Sequence, residues 1–210
     1  MKKNDGKERI LSEAEKRRLE GFEKTSDEMI RQGYVRRNLT IDMGKASKFS
    51  LLLLIPLFAI GFGLYYLVNR RVDFSGLHPL ILIVLLAALA VVHELIHGAC
   101  WSIFSPHHFK DVEFGVMRPS LTPYCACLVP LKKGPYLFGS VMPLVILGIL
   151  PMIAGIAVGN LDVLFIGIIM ADAAAGDILI IRRIIGYKSG AAEVVYMDHP
   201  TEAGGVVFER

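Results

Sequence analysis

Four long apolar runs divide this chain, and each is long enough to cross a membrane as a helix. They cover residues 49–68, a run from 78 or 79 to about 104, residues 136–158, and a run from 162 or 163 to 185. A membrane-spanning helix needs about 20 mostly apolar residues, and lipid forces all backbone polar groups into internal hydrogen bonds. The pattern predicts an all-α polytopic membrane protein with about four transmembrane helices.

The polar segment between the second and third runs, residues 105–135, follows a different period. Residues 112–117 and 124–129 alternate or are β-prone, and the stretch Arg118-Pro119-Ser120-Leu121-Thr122-Pro123 between them is typical of a turn. We expect a small cytosolic β-hairpin at the membrane surface. Cys125 and Cys127 would share one face of its second strand, but no clear partner completes a tetrahedral metal site, which favours a structural role.

Residues 1–48 are polar and predict a cytosolic amphipathic segment. Ser12 followed by Glu15 indicates a capping box at the start of a helix, and Gly33 is a plausible stop. Residues 34–41 alternate weakly and could form a short strand or an interfacial stretch. The favoured interpretation of the segment is a solvated helix that skims the membrane and carries no chemistry.

Composition and charge narrow the class of protein. With 53% hydrophobic residues and a mean hydropathy of +0.50, the chain is not an ordinary soluble domain. A net charge of +3 is too small to suggest a nucleic-acid partner, and three cysteines make no disulfide framework. We expect a cell-membrane protein with no cleaved signal peptide.

The distribution of lysine and arginine predicts the orientation. These residues are dense before the first run, present in residues 105–135 and dense again at Arg182, Arg183 and Lys188, whereas the turn at residues 159–161 has none. Cytosolic loops carry the excess of positive charge, so both termini and the hairpin are expected in the cytosol. Arg70 and Arg71 are the exception to this pattern.

The second run contains His93-Glu94-Leu95-Ile96-His97, the H-E-x-x-H motif of zinc peptidases. Residues four apart lie on one face of a helix, so His93 and His97 can offer two imidazoles to one metal ion, with Glu94 beside them. The alternative is polar contact between helices. Ionisable groups in a membrane helix cost roughly 2.5–3.5 kcal/mol each, which favours a functional site.

Depth in the membrane selects Asp177 as the third ligand. In the predicted topology the second and fourth runs are parallel, and His93 and Asp177 lie roughly 21 and 22 Å along them, at 1.5 Å per residue. Asp172 lies about 15 Å along, so we expect it to be a packing residue or to support the ligands from behind. Gly176 would let the backbone approach the motif helix closely.

Two imidazoles and one carboxylate would hold Zn²⁺ and leave a fourth position for water. Glu94 would then act as the general base and afterwards as the general acid in peptide hydrolysis. An oxyanion-stabilising residue is not evident, and His107 and His108 are no more than weak candidates for it. The hairpin offers a strand edge along which an extended peptide could align.

The motif in the second run and Ala175-Gly176-Asp177-Ile178 in the fourth resemble a family of small bacterial membrane proteins described as zincin peptidases. Gly33-Tyr34 and Leu39-Thr40-Ile41 fit the same pattern, and the resemblance covers most of residues 30–185. The chain is more distantly similar to the site-2 intramembrane metalloproteases, although glycine precedes its aspartate and an N-P motif is absent. The resemblance implies His93, His97 and Asp177 as zinc ligands and Glu94 as the catalytic residue.

The sequence thus predicts three parts: residues 1–48 as a cytosolic segment, 49–186 as a transmembrane metallopeptidase-like domain and 187–210 as a cytosolic tail. The predicted function is a zinc endopeptidase that acts on a peptide or membrane-protein substrate in or beside the lipid bilayer. The alternative is a non-catalytic membrane protein with a structural or metal-handling zinc site. A transporter ranks last, because the other runs offer few polar side chains for a pathway.

Overall fold

The structure of the chain is a computed structural model, and it describes residues 12–117 and 122–210. Its helices are α1 (Glu13–Arg31), α2 (Met43–Asn69), α3 (Pro79–Phe104), α4 (Lys133–Pro143), α5 (Leu150–Val158), α6 (Leu161–Ala173) and α7 (Ala175–Gly186). A π-helical segment, Leu144–Ile149, joins α4 to α5. The strands are β1 (Val35–Thr40), β2 (Val112–Met117), β3 (Thr122–Cys127), β4 (Leu131–Lys132), β5 (Val194–Asp198) and β6 (Gly204–Glu209).

Within these residues, three helices are long and apolar enough to cross a membrane: α2, α3 and the continuous helix Lys133–Val158. Helices α6 and α7 qualify only together, as a pair bent by 48°. The predicted positions of the apolar runs are therefore confirmed, but the fourth run is not one straight helix, since it breaks at Ala174. The described residues thus form three such helices, or four if the bent pair counts as one span.

Helix α1 begins and ends as its sequence predicts. The Ser12 side chain accepts a hydrogen bond from the backbone N–H of Glu15, and the Glu15 carboxylate accepts from the backbone N–H of Ser12, which is the predicted capping box. Gly33 follows the last turn with φ +90°, a conformation that favours glycine. Residues 35–40 then form β1, the strand alternative of the sequence prediction.

The predicted hairpin is present as β2 and β3, which pair antiparallel with Phe114 opposite Cys125. Residues 118–121 of its predicted turn lie outside the described residues. A Cβ on Gly98 of α3 would lie 2.2 Å from the Phe114 ring, so β2 lies directly against the helix that carries the motif. The hairpin is therefore fixed immediately beside His97.

A four-stranded antiparallel sheet, in the order β1-β6-β5-β4, was not predicted. Val35 lies opposite Glu209 in β6 and Leu131 opposite Tyr196 in β5, so the N-terminal segment, the interhelical segment and the tail share one sheet. The all-α class is thus too narrow: the chain is mostly helical with two small antiparallel sheets. The missed signal is a pair of β-prone runs, 194–198 and 204–209, separated by turn residues.

The sheet lies between α1 and the ends of the apolar helices. Its outer face packs on α1 in one buried cluster (Phe22, Tyr34, Val195, Met197, Val206 and Phe208). Its inner face packs on a second cluster that includes side chains of α3, α4 and α7 (Trp101, Val112, Cys127, Leu131, Tyr136, Ile184, Tyr196 and Val207). The second cluster connects the sheet to the helices that carry the motif and Asp177.

Candidate metal centre

Helix α3 and the bent pair α6–α7 run parallel, and the same residue offset relates them along their length. At the start of both, Nδ1 of His78 lies 2.7 Å from Oδ2 of Asp162. Further along, Nε2 of His93 lies 3.1 Å from Oδ2 of Asp177. Both pairs are separated by 84 residues in the sequence, so the register set at one end is kept at the other despite the bend at Ala174. His93 and Asp177 therefore lie at the same level of the two helices, as their predicted depths require.

His93, His97 and Asp177 come together with one ligand atom from each within 4.8 Å of the others. The two Nε2 atoms of the histidines are 3.2 Å apart, and Nε2 of His97 lies 3.5 Å from Oδ1 of Asp177. The imidazoles are buried, with 7% and 5% of their side-chain surfaces exposed, while Asp177 is 20% exposed. Asp177 is therefore the most exposed of the three side chains.

This geometry fits a zinc ion. Nitrogen and oxygen ligands about 2.0–2.1 Å from a tetrahedral ion lie about 3.3 Å from one another, close to the observed separations. Nδ1 of His97 faces the carbonyl of Gly139 at 2.9 Å, and because a carbonyl only accepts, Nδ1 carries the proton and Nε2 keeps its lone pair. Two imidazoles and a carboxylate then converge on one point that a cation would satisfy.

Gly139 of α4 holds His97 in this orientation. A Cβ at position 139 would lie 2.2 Å from the Trp101 ring, so only glycine lets α4 approach α3 this closely. Trp101 in turn stacks on His97, with ring centroids 5.1 Å apart. Sequence reasoning missed both residues; for Trp101 the signal was its position four residues after His97, on the same helix face.

Glu94 lies beside the group and against the hairpin. Its carboxyl group faces the backbone N–H of Cys125 in β3, and His93, His97 and Asp177 are near enough to act on its charge. The carboxyl group thus lies between the three converging side chains and a backbone donor. This is the position from which it could exchange protons with a molecule bound at the site.

Other candidates from the sequence lie elsewhere. Asp172 accepts a hydrogen bond from Ser50 at 2.8 Å and is not part of the group. His107 pairs with Asp111, and Nδ1 of His108 faces the carbonyl of Ser102, so neither is directed at the site. The prediction that Gly176 allows a close backbone approach to the motif helix is wrong, since a Cβ there would meet nothing within 4 Å.

The cysteines do not form a second metal cluster with other ligand residues in the described part of the chain. Burial raises the pKa of the Cys125 and Cys127 thiols far above the ordinary value of 9.0. Burial therefore disfavours the thiolate form of both side chains. This agrees with the structural role that the sequence favours.

A family model described as "Putative zincin peptidase" matches residues 86–192. This part of the chain contains His93, Glu94, His97 and Asp177. The chain belongs to this family. Zincins are zinc peptidases, so the family indicates a metallopeptidase whose metal is zinc. No curated protein and no solved structure matches the chain.

Proposed function

We propose that this zincin-family protein is a membrane-embedded zinc metalloprotease that hydrolyses peptide bonds in or beside the bilayer. The observation that carries the proposal is the convergence of His93, His97 and Asp177 beside Glu94. Three zinc ligands with room for a fourth are typical of catalytic sites, whereas structural sites use four protein ligands. The described residues offer no fourth His, Cys, Asp or Glu ligand to the group.

A zinc ion held by these residues would supply a Lewis acid that makes water more acidic and polarises a carbonyl oxygen. Glu94 takes a proton from the attacking water as general base and gives it to the leaving amine as general acid. The N–H of Cys125 holds its carboxylate on the hairpin side. The carbonyl of Gly139 fixes the tautomer of His97.

The sheet supports four membrane crossings. β1 precedes α2, β4 lies between α3 and α4, and β5 follows α7. Strands of one sheet lie on one side of a membrane, so the chain crosses an even number of times between β4 and β5. If the helix Lys133–Val158 crosses once, the bent pair α6–α7 crosses as the other span.

Basic side chains support a cytosolic sheet. They lie at the ends of the helices that meet the sheet (Lys45, Lys48, Lys132, Lys133, Arg182 and Arg183), while Arg70 and Arg71 lie at the other end of α2. By the positive-inside rule, this distribution supports a cytosolic position for the sheet and for both ends of the described chain. His97 is about 10 Å of helix from the sheet-side end of α3, so water and substrate would enter from the cytosolic side.

The hairpin would align the substrate. The N–H groups of Cys125 and Cys127 point away from β2, the first towards Glu94 and the second to Asp198 at 2.6 Å. The edge of β3 around Pro123 and Cys125 therefore runs past Glu94. An extended peptide beside this edge would bring a carbonyl group close to the site.

The first test is the zinc content of the detergent-solubilised protein, purified with metal in excess, for the wild type, Glu94→Gln and His97→Ala. We expect about one zinc per chain in the wild type and in Glu94→Gln, but little in His97→Ala, since only the last loses a ligand. Absence of zinc from all three proteins would refute the proposal.

Catalysis is separated from a structural or metal-handling site by Glu94→Gln. In proteoliposomes offered a library of quenched fluorescent peptides, the wild type should cleave and the zinc-loaded Glu94→Gln protein should not. Equal cleavage by both proteins would remove Glu94 from the mechanism, and no cleavage by either zinc-loaded protein would favour the structural or metal-handling site.

A further inference from the structure

Asp198, the last residue of β5, joins two elements that flank the metal centre. One carboxylate oxygen accepts a hydrogen bond from the hydroxyl of Tyr136 in α4. The other accepts from the backbone N–H of Cys127 in β3 at 2.6 Å. A single side chain of the four-stranded sheet thus ties the hairpin to α4. It lies outside the region 86–192 that the family model matches.

On the α4 side, the contact leads to His97 in two steps. The Tyr136 ring stacks on Trp101 with centroids 5.6 Å apart, and the carbonyl of Tyr136 accepts a hydrogen bond from Nε1 of Trp101 at 3.1 Å. Trp101 stacks on His97 at 5.1 Å. Tyr136 also begins the turn of α4 that ends near Gly139, whose carbonyl accepts from His97.

On the β3 side, the contact leads to Glu94. Cys127 lies two residues beyond Cys125 on the same strand edge, and the N–H of Cys125 faces the Glu94 carboxyl group. Movement of β3 away from α4 would carry this donor away from Glu94. The position of Asp198 therefore bears on the predicted base and on a predicted ligand together.

At neutral pH the ionised side chain of Asp198 lowers the stability of the fold. Burial raises the pKa of its carboxyl group to about 6 from the ordinary value of 3.8, despite hydrogen bonds from Tyr136 and Cys127 that oppose this shift. A carboxylate retained at a cost in stability is more typical of a functional constraint than of a stabilising contact.

We propose that Asp198 is a positioning residue of the metal centre, which fixes β3 relative to α4 and so sets Glu94 against His97. The proposal rests on the metal-binding function proposed above. The C-terminal hairpin β5–β6 would then contribute to the geometry of the metal centre through Asp198. Asp198 touches neither the predicted ligands nor the predicted substrate position, and it acts through Tyr136 and Cys127.

The test uses Trp101, the single tryptophan of the chain, as an internal reporter. The emission of Trp101 and the affinity for Co²⁺ are measured in the metal-free, detergent-solubilised protein. Asp198→Ala removes both acceptors, and we expect a shifted emission and about 10-fold weaker Co²⁺ binding, the lower end of the range for lost outer-sphere partners. Asp198→Asn keeps an acceptor for the Cys127 N–H and should restore most of both values.

Tyr136→Phe removes only the hydroxyl group and keeps the stack on Trp101, so a smaller change in the same direction is expected. If Asp198→Ala does not fold, Tyr136→Phe tests whether the Asp198 contact positions the metal centre. Glu209→Ala is the matched control, because Glu209 lies on β6 of the same sheet and accepts from Tyr187 and Ser189 at 2.9 and 2.6 Å. It should leave the emission and the Co²⁺ affinity unchanged.

Unchanged Trp101 emission and Co²⁺ affinity in folded Asp198→Ala would overturn the proposal. An equal loss in Glu209→Ala would overturn it as well, since the effect would then come from sheet stability alone. A wild-type protein that binds neither Co²⁺ nor Zn²⁺ would refute the metal function itself. The emission of Trp101 would still decide whether Asp198 holds the cluster around His97.

Discussion

Replacing Gly139 by alanine is expected to disturb the metal centre without changing any predicted ligand. A Cβ there would lie 2.2 Å from Cδ1 and Nε1 of Trp101, a distance that real Cβ atoms do not adopt. The Trp101 ring cannot simply turn away, because it is stacked between His97 and Tyr136. Helix α4 must therefore move from α3, and the carbonyl of residue 139 leaves Nδ1 of His97.

Two costs follow from this displacement. Overpacking of a close helix contact lowers the free energy of unfolding by about 1–3 kcal/mol. Loss of the hydrogen bond that orients a metal-binding histidine lowers metal affinity about 10–100-fold, or about 1.4–2.8 kcal/mol of binding free energy. The zinc affinity is measured on folded protein, so the lower stability alone should not weaken it. The loss of affinity therefore reports the lost hydrogen bond to His97.

Gly134→Ala is the control, since Gly134 lies in the same helix and a Cβ there would meet nothing within 4 Å. Zinc affinity is measured by competition with a chelator, and stability by thermal unfolding in detergent. We expect wild-type zinc affinity for Gly134→Ala and the 10–100-fold loss for Gly139→Ala. Wild-type affinity in Gly139→Ala would refute the assigned role of the carbonyl.

Three further predictions concern other parts of the structure. Asp177→Ala should lose zinc while Asp172→Ala keeps it, because Asp172 bonds to Ser50 instead; equal zinc content in the two purified variants would contradict the ligand assignment. Because the pKa of Asp198 is raised to about 6 from 3.8, ionisation of this carboxyl group lowers the free energy of unfolding. The loss is absent below pH ~4 and reaches its full size, on the order of 3 kcal/mol, above pH ~6. Thermal unfolding should thus show the wild type losing stability relative to Asp198→Asn as pH rises through this window, and parallel curves would argue against it. Arg18→Ala should lower the free energy of unfolding by about 1–3 kcal/mol, since Arg18 is 10% exposed and contacts Pro200, Glu113 and the Tyr124 ring. Removing the exposed pair of Arg31 and Glu28 should have a much smaller effect.

Sequence reasoning could find the converging residues because helix geometry and membrane depth constrain them. The four-residue spacing puts His93 and His97 on one helix face, and parallel helices of similar length bring Asp177 to the same level. Neither argument needs knowledge of the packing between helices. The break at Ala174 leaves the two helices in register, since the His78–Asp162 and His93–Asp177 contacts have the same sequence separation of 84 residues.

The surroundings of the site could not be predicted in this way. The acceptor for His97 is a backbone carbonyl 42 residues away, and a carbonyl group has no residue-type signature. The four-stranded sheet depends on pairing between residues as distant as Val35 and Glu209. Such pairings are set by the whole fold, so local alternation alone indicates a strand but not its partner.

The order of strands in the sheet has a consequence for biosynthesis. β6 lies between β1 and β5 and follows helices α1 to α7 in the sequence. While the ribosome is still making the apolar helices, β1 has no neighbour to pair with, and Asp198 has not yet been made. Chains that end before residue 204 should therefore lack the strand that joins β1 to β5, and their unpaired strand edges would make them prone to aggregation.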